Sequence, residues 1–355
     1  MIWVINMTMI YIGFLGIGIL AMIAKRISIE KSDRDKITSL SVVIPFRNEA
    51  NRIVGLLESL NAVDFPQELD IEFIFVDDHS TDYTDQVIKS QLKIPFKIIK
   101  NDKKGKKHAV HSGIQVTKNK YILSLDADVT FDKHYFRAIG GLKESALTVL
   151  PVHMDGKSFF QKLARIEFIW LQNLTFSSLK MGMTLLANGA NLIYSKKVYL
   201  EVLKERTDMD IPSGDDIFLL KAVANSKHAV SAVLSPSITV QTPAPNTWSE
   251  LILQRKRWLS KMKGTFGLAE TIGAIVLLTY SFGFIVPLFF IYDNHFAIYP
   301  IVLKVILDLI FVLDAERVKF SVYDVLALLC FQFWYPFYLI GLAIPHKSKE
   351  ERWQN

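Results

Sequence analysis

The run from Lys120 to Asp128 constrains the fold of this chain most. Residues Tyr121–Leu125 are mostly apolar and favour a β-strand, and the run ends in two carboxylates, Asp126 and Asp128. This pattern predicts a buried parallel strand that brings charge to its carboxyl end, where open α/β sheets bind ligands. A pair of carboxylates one residue apart suits Mg²⁺ or Mn²⁺. A solvated turn or a helix cap is the alternative for such a pair.

The chain as a whole is too apolar for one soluble domain, since half of its residues are hydrophobic. Its first 24 residues contain no charge and are long enough to span a bilayer. No basic residues precede this run, and it is longer than the apolar part of a signal peptide, which favours an uncleaved anchor over residues 1–26. The residues that follow are basic and place the next domain in the cytoplasm: Lys25, Arg26, Lys31, Arg34 and Lys36.

Apolar segments return in residues 268–345. About three are predicted to span the membrane, namely Ile272–Tyr292, Ala297–Leu313 and Val322–Pro345. The middle segment contains Lys304 and Asp308, which are spaced to pair on one helix face. A functional site inside the membrane and simple charge pairing both explain these two residues. The sequence therefore predicts an integral protein of the inner or plasma membrane.

The membrane topology of the carboxyl end stays open at this point. If all three segments span, the basic tail at 346–355 lies outside, against the positive-inside rule. Pro336 lies in the middle of the last segment, so a broken or re-entrant pair of helices is the alternative.

Strands and helices alternate between the apolar ends. Apolar runs with strand character are followed by helical patterns, which predicts a doubly wound α/β sheet within residues 38–265. The four predicted strands are Ser41–Pro45, Ile71–Val76, Phe96–Lys100 and Tyr121–Leu125. The loops that end at Asn48, Asp78, Lys106 and Asp128 are then expected to meet in one crevice.

Basic residues surround Gly105 in one of these loops. Contact with a diphosphate and a solvated run of charge explain Lys103, Lys104, Lys106 and Lys107 equally well. The net charge of +6 fits a protein on an anionic membrane surface. No nucleic-acid partner is predicted, because the basic residues are not interleaved with aromatic ones in a stripe.

Three later segments have a structural and a functional interpretation each. The aromatic helix at 159–181 is expected to lie in the membrane interface or to pack on the domain core. Asp215 and Asp216 precede an apolar helix, where carboxylates are common caps. Gln254, Arg257 and Trp258 share one face of a helix that begins in a capping box, and an interfacial anchor is the alternative for them.

Several of these motifs together resemble those of membrane-bound family 2 glycosyltransferases with the GT-A fold. The resemblance covers roughly residues 38–260 and depends on the order of its motifs. The motifs are Val43-Ile44-Pro45-Phe46-Arg47-Asn48-Glu49, Val76-Asp77-Asp78-His79-Ser80-Thr81-Asp82, Gly105-Lys106-Lys107-His108-Ala109, Asp126-Ala127-Asp128, Asn188-Gly189-Ala190-Asn191 and Gln254-Arg255-Lys256-Arg257-Trp258.

The resemblance implies a role for each matched position. Asp216 is carried over as the general base and Arg257 as the cation on the departing diphosphate, while Asp126 and Asp128 hold the metal. Asp215 stands where relatives more often have Glu, which leaves the orientation of the base open. The residues implied to bind the donor are Pro45, Arg47, Glu49, Asp77, Asp78, Lys106, Asp126, Gln254 and Trp258, and those implied to border the acceptor are Gly189, Ala190, Asn191 and Asp215.

The expected activity is inverting transfer of a sugar from a nucleotide-diphospho-sugar, with a UDP-sugar as the first choice. The expected acceptor is a membrane lipid or a lipid-linked glycan at the cytoplasmic face, and the expected cofactor is Mg²⁺ or Mn²⁺. A processive polysaccharide synthase and a non-catalytic membrane scaffold that binds nucleotide are the alternatives. The reaction requires that Asp216 and Arg257 face the edge that carries Asp126 and Asp128.

Overall fold

The computed structural model describes residues 13, 16, 36–209, 211, 214–262, 268–293, 295–316 and 321–344. Apart from positions 13 and 16, the predicted anchor at 1–26 lies outside the described residues, as does the basic tail at 346–355. The described residues form two compact units. The α/β unit comprises 36–154 and 181–243, and the helical unit comprises 155–180 and 244–344. Two pieces of the predicted domain at 38–265 thus belong to the helical unit.

The α/β unit contains the strands of the fold. They are β1 (Ser39–Phe46), β2 (Asp70–Asp77), β3 (Lys97–Lys100), β4 (Tyr121–Leu125), β5 (Thr130–Phe131), β6 (Leu147–Val149), β7 (Val152–Asp155), β8 (Asn191–Ser195), β9 (Val230–Ala232) and β10 (Val240–Pro243). The main sheet has the order β3-β2-β1-β4-β8-β6-β9, and β5, β10 and β7 form a second, smaller sheet.

The helices are divided between the units. The α/β unit contains α1 (Val54–Asn61), α2 (Thr84–Gln91), α3 (Lys106–Val116), α4 (Tyr135–Gly140), α6 (Lys196–Leu203) and α7 (Asp215–Asn225). The helical unit contains α5 (Phe159–Lys180), α8 (Trp248–Met262), α9 (Leu268–Phe282), α10 (Ile285–Leu288), α11 (Ile298–Glu316) and α12 (Val322–Ala343). Short 3₁₀ helices occur at Pro236–Ile238 and His295–Ala297.

The main sheet confirms the predicted mixed α/β architecture. Strands β1 to β4 pair in parallel, whereas β8 runs antiparallel to both β4 and β6. Strands β4 and β8 are buried along their whole length, which is why continuous apolar runs encode them. Helix α3 approaches β1 closely at Gly113, where an added Cβ would lie only 2.5 Å from Val43.

Helix α5 packs on apolar helices of its own unit. Leu163, Ile166 and Ile169 of α5 form a buried cluster with Val312 of α11 and Phe331 of α12. The apolar face of α5 is therefore covered within the helical unit.

Two helices in the described residues are long and apolar enough to cross a bilayer, His295–Leu313 and Val322–Leu342. The first of the three predicted segments differs, because its helix ends at Phe282 and a separate short helix follows. Gly283 lies at the break and donates its N–H to the Tyr280 carbonyl at 3.0 Å. Glycine is a poor helix former, which explains why the segment divides there.

The last apolar segment is continuous. Helix α12 passes through Pro336 without a break, so the re-entrant interpretation is not what the structure shows. A proline inside a helix removes one hydrogen bond, and neighbouring helices in an apolar environment compensate for such a loss.

The predicted pair of Lys304 and Asp308 forms within the helical unit. The Lys304 ammonium lies 2.7 Å from the Asp308 carboxylate, and both side chains are buried. Asp308 also accepts hydrogen bonds from Gln332 and from the Tyr280 hydroxyl, each at 2.8 Å. Every oxygen of this carboxylate is therefore satisfied by protein groups, which favours charge pairing over a ligand site.

Candidate functional site

The carboxyl ends of three parallel strands bring the predicted motifs together. Phe46 of β1 pairs with Asp77 of β2, so the loops that follow these strands begin side by side. Leu125 at the end of β4 pairs with Asn191 at the start of antiparallel β8. The loops after β1, β2 and β4 and the segment before β8 thus lie at one edge of the sheet, which is the predicted crevice.

The loops after β1 and β2 are joined by side-chain hydrogen bonds. Asn48 has a φ of 54°, and its side-chain oxygen accepts the N–H of Thr81 at 2.8 Å. The N–H of Glu49 donates to the Thr84 hydroxyl at 2.9 Å. Asparagine tolerates this left-handed conformation better than most residues. The tight turn directs the chain from β1 into α1 and fixes the residues on either side of Asn48.

Arg47 is the most informative residue of this turn. Its side chain is only 9% exposed, and its Nε and Nη1 atoms have no hydrogen-bond partner among the described residues. A buried guanidinium normally requires an anion or several acceptors. Pro45, two residues earlier, is buried within β1.

The two aspartates after β2 have different surroundings. Asp78 is fully buried and accepts the Gly105 N–H with both oxygens, at 2.9 and 3.0 Å, and the Asn101 amide at 2.7 Å. Gly105 has a φ of 125°, a conformation that favours glycine. Asp78 therefore holds the loop before α3. Asp77 is half-buried, and one of its oxygens accepts the Ser80 N–H at 2.8 Å.

Lys106 links the predicted metal and base positions. Its ammonium lies 2.5 Å from Asp126. Burial lowers the pKa of Lys106, but the charges of Asp126 and Asp215 outweigh burial and raise that pKa, with a smaller contribution from Asp216. These carboxylates must lie near one ammonium group to act on it. Within the α/β unit, the structure thus brings Asp216 to the edge that carries Asp126.

Among the residues that the structure describes, the second carboxylate of the pair, Asp128, has no comparably close cation. Burial and then the charge of Asp126 raise the pKa of Asp128. Burial also raises the pKa of Glu49 to about 7, against the effect of Arg52. Asp128 and Asp126 contribute to that rise. Negative charge accumulates at this edge and is only partly compensated by Lys106 and Arg52.

These carboxylates fit a divalent cation. The described residues contain no group of three His, Cys, Asp or Glu side chains that is closed around a metal position. Mg²⁺ and Mn²⁺ are commonly held by only one or two carboxylates, with substrate phosphates and water completing the coordination. Asp126 and Asp128 match that pattern. The carboxylate of Asp126 already contacts a cationic group, and the charged form of Asp128 is disfavoured without one.

Asp216 is held at the start of α7. Its side chain is 7% exposed, and its oxygens accept the Gly189 N–H at 3.1 Å and the Ile217 N–H at 2.8 Å. An added Cβ at Gly189 would lie 3.4 Å from the Asp216 Cβ and 3.5 Å from a carboxylate oxygen of Asp215. A glycine at position 189 therefore lets the chain pass closely along the two aspartates.

The other two positions implied to border the acceptor are buried. Asn191 is 0% exposed, and its amide donates to the carbonyls of Pro151 at 2.8 Å and Ile238 at 2.9 Å. Its oxygen accepts the Tyr135 hydroxyl at 2.6 Å. Asn191 thus links the start of β8 to Pro151, Ile238 and Tyr135, and its predicted place beside an acceptor stays a prediction. Ala190 is also buried.

The lysines of the basic loop around Gly105 lie in three different environments. Lys103 and Lys104 are exposed, whereas Lys106 contacts Asp126. Lys107 is buried and donates to the carboxylate of Asp208 at 2.6 Å and to its carbonyl at 2.7 Å. Neither sequence interpretation included this pair. Its partners are 101 residues apart, and no local spacing signals such a contact.

The remaining predicted residues belong to the helical unit. Gln254, Arg257 and Trp258 lie on α8, and each is half-buried. Their predicted approach to the donor and to Asp216 stays a prediction.

Comparisons with known proteins agree with this geometry. A sequence model of the family described as Glycosyl transferase family 2 matches residues 41–178. A poly-beta-1,6-N-acetyl-D-glucosamine synthase of Staphylococcus epidermidis is 27% identical over 150 residues, which is 40% of this chain and 36% of that protein. A 4,4'-diaponeurosporenoate glycosyltransferase of Staphylococcus aureus is 36% identical over 141 residues, which is 36% of this chain and 35% of that protein.

The matched stretch spans about a third of the length of these two relatives. Among solved structures, the mannosyltransferase PcManGT from Pyrobaculum calidifontis, in complex with GDP-Man and Mn²⁺, superposes with a TM-score of 0.57. It is 15% identical and covers 98% of this chain and 100% of its own, so it shows the fold alone. The predicted GT-A fold is confirmed. The chain therefore carries a glycosyl transferase family 2 domain, matched over residues 41–178.

Proposed function

We propose that this glycosyltransferase transfers a hexosyl group from a nucleotide-diphospho-sugar, with UDP-sugars as the first candidates, to a membrane lipid or a lipid-linked glycan. The observation that carries the proposal is the buried Arg47 guanidinium, two of whose nitrogens have no partner among the described residues. It lies at the carboxyl edge of the sheet, where such folds bind ligands. The anionic part of a nucleotide donor would satisfy it.

Asp216 is proposed as the general base of this reaction. In the proposed step, Asp216 takes the proton of an acceptor hydroxyl while the acceptor oxygen forms a bond to the anomeric carbon. The bond between that carbon and the diphosphate breaks, and the diphosphate leaves with the electron pair. Attack from the side opposite the leaving group inverts the configuration. The two backbone N–H groups on Asp216 support this role because they hold its carboxylate in one orientation.

The cations of the site would stabilise the charge that develops on the diphosphate. Lys106 lies beside Asp126, and the charges of Asp215 and Asp216 help to raise its pKa, which supports a role near both the proposed metal position and the proposed base. A divalent metal at Asp126 and Asp128 would add Lewis-acid stabilisation of the leaving group. Arg257 is proposed to contribute a further positive charge from α8.

A membrane location is proposed from the two helices that are long and apolar enough to span a bilayer. In this arrangement the α/β unit faces the cytoplasm, where nucleotide-sugars are available. The similarity to a poly-beta-1,6-N-acetyl-D-glucosamine synthase supports a second candidate, processive polysaccharide synthesis. The similarity to a glycosyltransferase named for 4,4'-diaponeurosporenoate supports transfer to a single acceptor molecule.

A panel of nucleotide-sugars tests the proposal. Purified protein in detergent is heated with each UDP-, GDP- and dTDP-sugar, with and without Mn²⁺, and the unfolding temperature is recorded. The release of free nucleotide is measured in parallel after addition of a membrane lipid extract. We expect one nucleotide class to stabilise the protein in a metal-dependent way and to be consumed. Stabilisation without consumption indicates the non-catalytic scaffold, and no response to any donor contradicts the proposal.

Product length separates the two candidate activities. Single transfer yields one labelled product whose size does not change with time, whereas processive synthesis yields a polymer that grows. Chromatography of products made from radiolabelled donor distinguishes these outcomes.

A further inference from the structure

Two adjacent lysines on the first turn of α3 contact different parts of the α/β unit. Lys106 lies beside Asp126, which follows β4. Lys107 is buried and donates to the Asp208 carboxylate at 2.6 Å and to the Asp208 carbonyl at 2.7 Å. Its ammonium also lies 4.3 Å from the ring centre of Phe218, a cation–π contact. Because Phe218 belongs to α7, Lys107 joins the start of α3 to the helix that carries the proposed base.

The start of α3 is itself held in place. Gly105, directly before the helix, donates its N–H to both carboxylate oxygens of the buried Asp78, at 2.9 and 3.0 Å. The helix also packs closely on β1 at Gly113. The first turn of α3 is therefore a fixed point from which both lysines extend.

A cavity lies beside the first turn of α7. Lys107, Gly189 and Asp215 are among the residues that line it. Atoms that line a cavity lack neighbours on one side and lose the dispersion contacts that such neighbours would supply. The polar contacts of Lys107 therefore contribute to the position of α7 where close packing does not.

The Asp208 carboxylate does not need Lys107 to be satisfied. Arg206 donates to one of its oxygens at 2.8 Å and to the other at 2.7 Å. Burying an ammonium group has a desolvation cost that the attraction to a carboxylate often fails to offset. A second cation on a carboxylate that is already paired is therefore poorly explained by stability. Its contact does join residues 101 positions apart in the chain.

We propose that Lys107 is a positioning residue that holds the first turn of α7, and with it Asp216, at a fixed place relative to Asp126. This inference rests on the proposed function. A misplacement of about 1 Å in a catalytic group can lower a rate by about 100-fold. Loss of Lys107 should therefore slow the transfer step and leave binding of the donor intact.

Lys107→Met tests this role in the full chain. Methionine keeps an apolar stem, and Asp208 keeps both hydrogen bonds from Arg206, so the fold should survive. Calorimetry with UDP and Mn²⁺ counts the binding sites, and kcat is expressed per site. We expect kcat to fall by at least about 10-fold, with a KM for UDP-sugar within about 2-fold of the unaltered value. A normal kcat per binding site, or loss of UDP binding, overturns the proposal.

Phe218→Leu is the second variant and leaves the ion pair of Lys107 with Asp208 intact. It removes the cation–π contact to α7, so kcat should fall, but less than in Lys107→Met. The double variant should be no slower than Lys107→Met alone, because that substitution already removes the same contact. Additive losses in the double variant show that Phe218 acts independently of Lys107 and overturn the link to α7.

Lys196→Met is the matched control. Lys196 donates to the Thr117 carbonyl at 2.6 Å, so it also joins two distant segments of the α/β unit. It follows the end of β8 that pairs with Tyr121 at the start of β4, which is the opposite edge of the sheet from the candidate site. We expect kcat per binding site to be unchanged, whether or not the unfolding temperature falls. Equal losses of kcat in Lys196→Met and Lys107→Met indicate a purely structural role and overturn the proposal.

The outcome can be separated from that of the proposed function. The unaltered protein is first assayed for release of nucleotide from each donor, with Mn²⁺ and a membrane lipid extract. No release from any donor refutes the proposed function itself. Release by the unaltered protein, combined with a normal kcat per binding site in Lys107→Met, refutes only the role of Lys107.

Discussion

One buried charge in each unit, Asp308 and Arg47, shows how differently such groups can be satisfied. In the helical unit, Asp308 accepts hydrogen bonds from Lys304, Gln332 and Tyr280, so both of its carboxylate oxygens have donors. In the α/β unit, the guanidinium of Arg47 is buried at the carboxyl edge of the sheet, and two of its nitrogens have no partner among the described residues. The first arrangement holds helices together. The second is expected to need a ligand.

This difference indicates which buried charges are expected to bind a ligand. An intramembrane ion pair attracts attention in a sequence, because such residues are rare and often functional. Here the pair is internally complete, whereas an arginine in an ordinary turn is not. The degree of hydrogen-bond satisfaction, in addition to burial, therefore separates Asp308 from Arg47.

The largest expected effect concerns the base at the start of α7. Asp216→Asn keeps the shape of the side chain but removes its ability to take a proton. We expect the transfer rate to fall by about 10²- to 10⁴-fold, while binding of UDP with Mn²⁺, measured by calorimetry, stays within about 2-fold. Unchanged turnover, or loss of nucleotide binding, would contradict the assignment of Asp216.

The next effect tests the satisfied network. Asp308→Ala leaves the Lys304 ammonium buried without its carboxylate, which should lower the free energy of unfolding by about 3–5 kcal/mol. The double variant Lys304→Met with Asp308→Leu removes both charges and should recover part of that loss. Thermal unfolding in detergent measures both. A stable Asp308→Ala variant that loses activity would instead indicate a functional intramembrane site.

Arg47→Met should show the opposite behaviour. Two nitrogens of the buried Arg47 guanidinium have no hydrogen-bond partner among the described residues, so its removal should not lower the unfolding temperature. Hydrogen bonds to charged groups contribute about 1.5–3 kcal/mol, so we expect nucleotide affinity to fall by roughly 10- to 100-fold. Titration calorimetry with UDP and Mn²⁺ measures the affinity, and Arg47→Lys serves as the charge-conserving control. If Arg47→Met lowers the unfolding temperature as much as Asp308→Ala does, the proposed difference between these two buried charges is wrong.

The smallest effect is expected in the basic loop. Lys103 is exposed, so Lys103→Met should change stability by less than about 0.5 kcal/mol and leave the KM for UDP-sugar unaltered. Lys106→Met should raise that KM, because Lys106 contacts Asp126. Equal effects of the two substitutions would indicate that the loop acts through its overall charge.

The strands were predictable because residues that are adjacent in the sequence encode their burial. Tyr121–Leu125 was predicted with the bounds of β4, and Ile71–Val76 lies within β2 by one residue at each end. A strand covered on both faces needs an unbroken apolar run, and such a run is visible in the sequence. The edge at which Asp126 lies followed from the same reasoning, whereas the order of the strands in the sheet was not predicted.

The roles of individual polar residues were less predictable. Asn191 and Asp78 belong to motifs of the family, yet their side chains hold the protein together from inside. The contact of Lys107 with Asp208 joins segments 101 residues apart. Side chains of the same type serve a ligand or the fold according to what surrounds them, and those surroundings come from distant parts of the chain.

The sequence by itself determined the alternation of strands and helices, the apolar segments and the residue types that chemistry at a diphosphate requires. Local periodicity and composition decide these features, because each depends on neighbours in the chain. Only the tertiary structure decided that α5 packs with the apolar helices, that Asp308 is satisfied and that Arg47 is not. Burial and hydrogen-bond partners are properties of residues brought together from afar, and the order of the chain does not specify them locally.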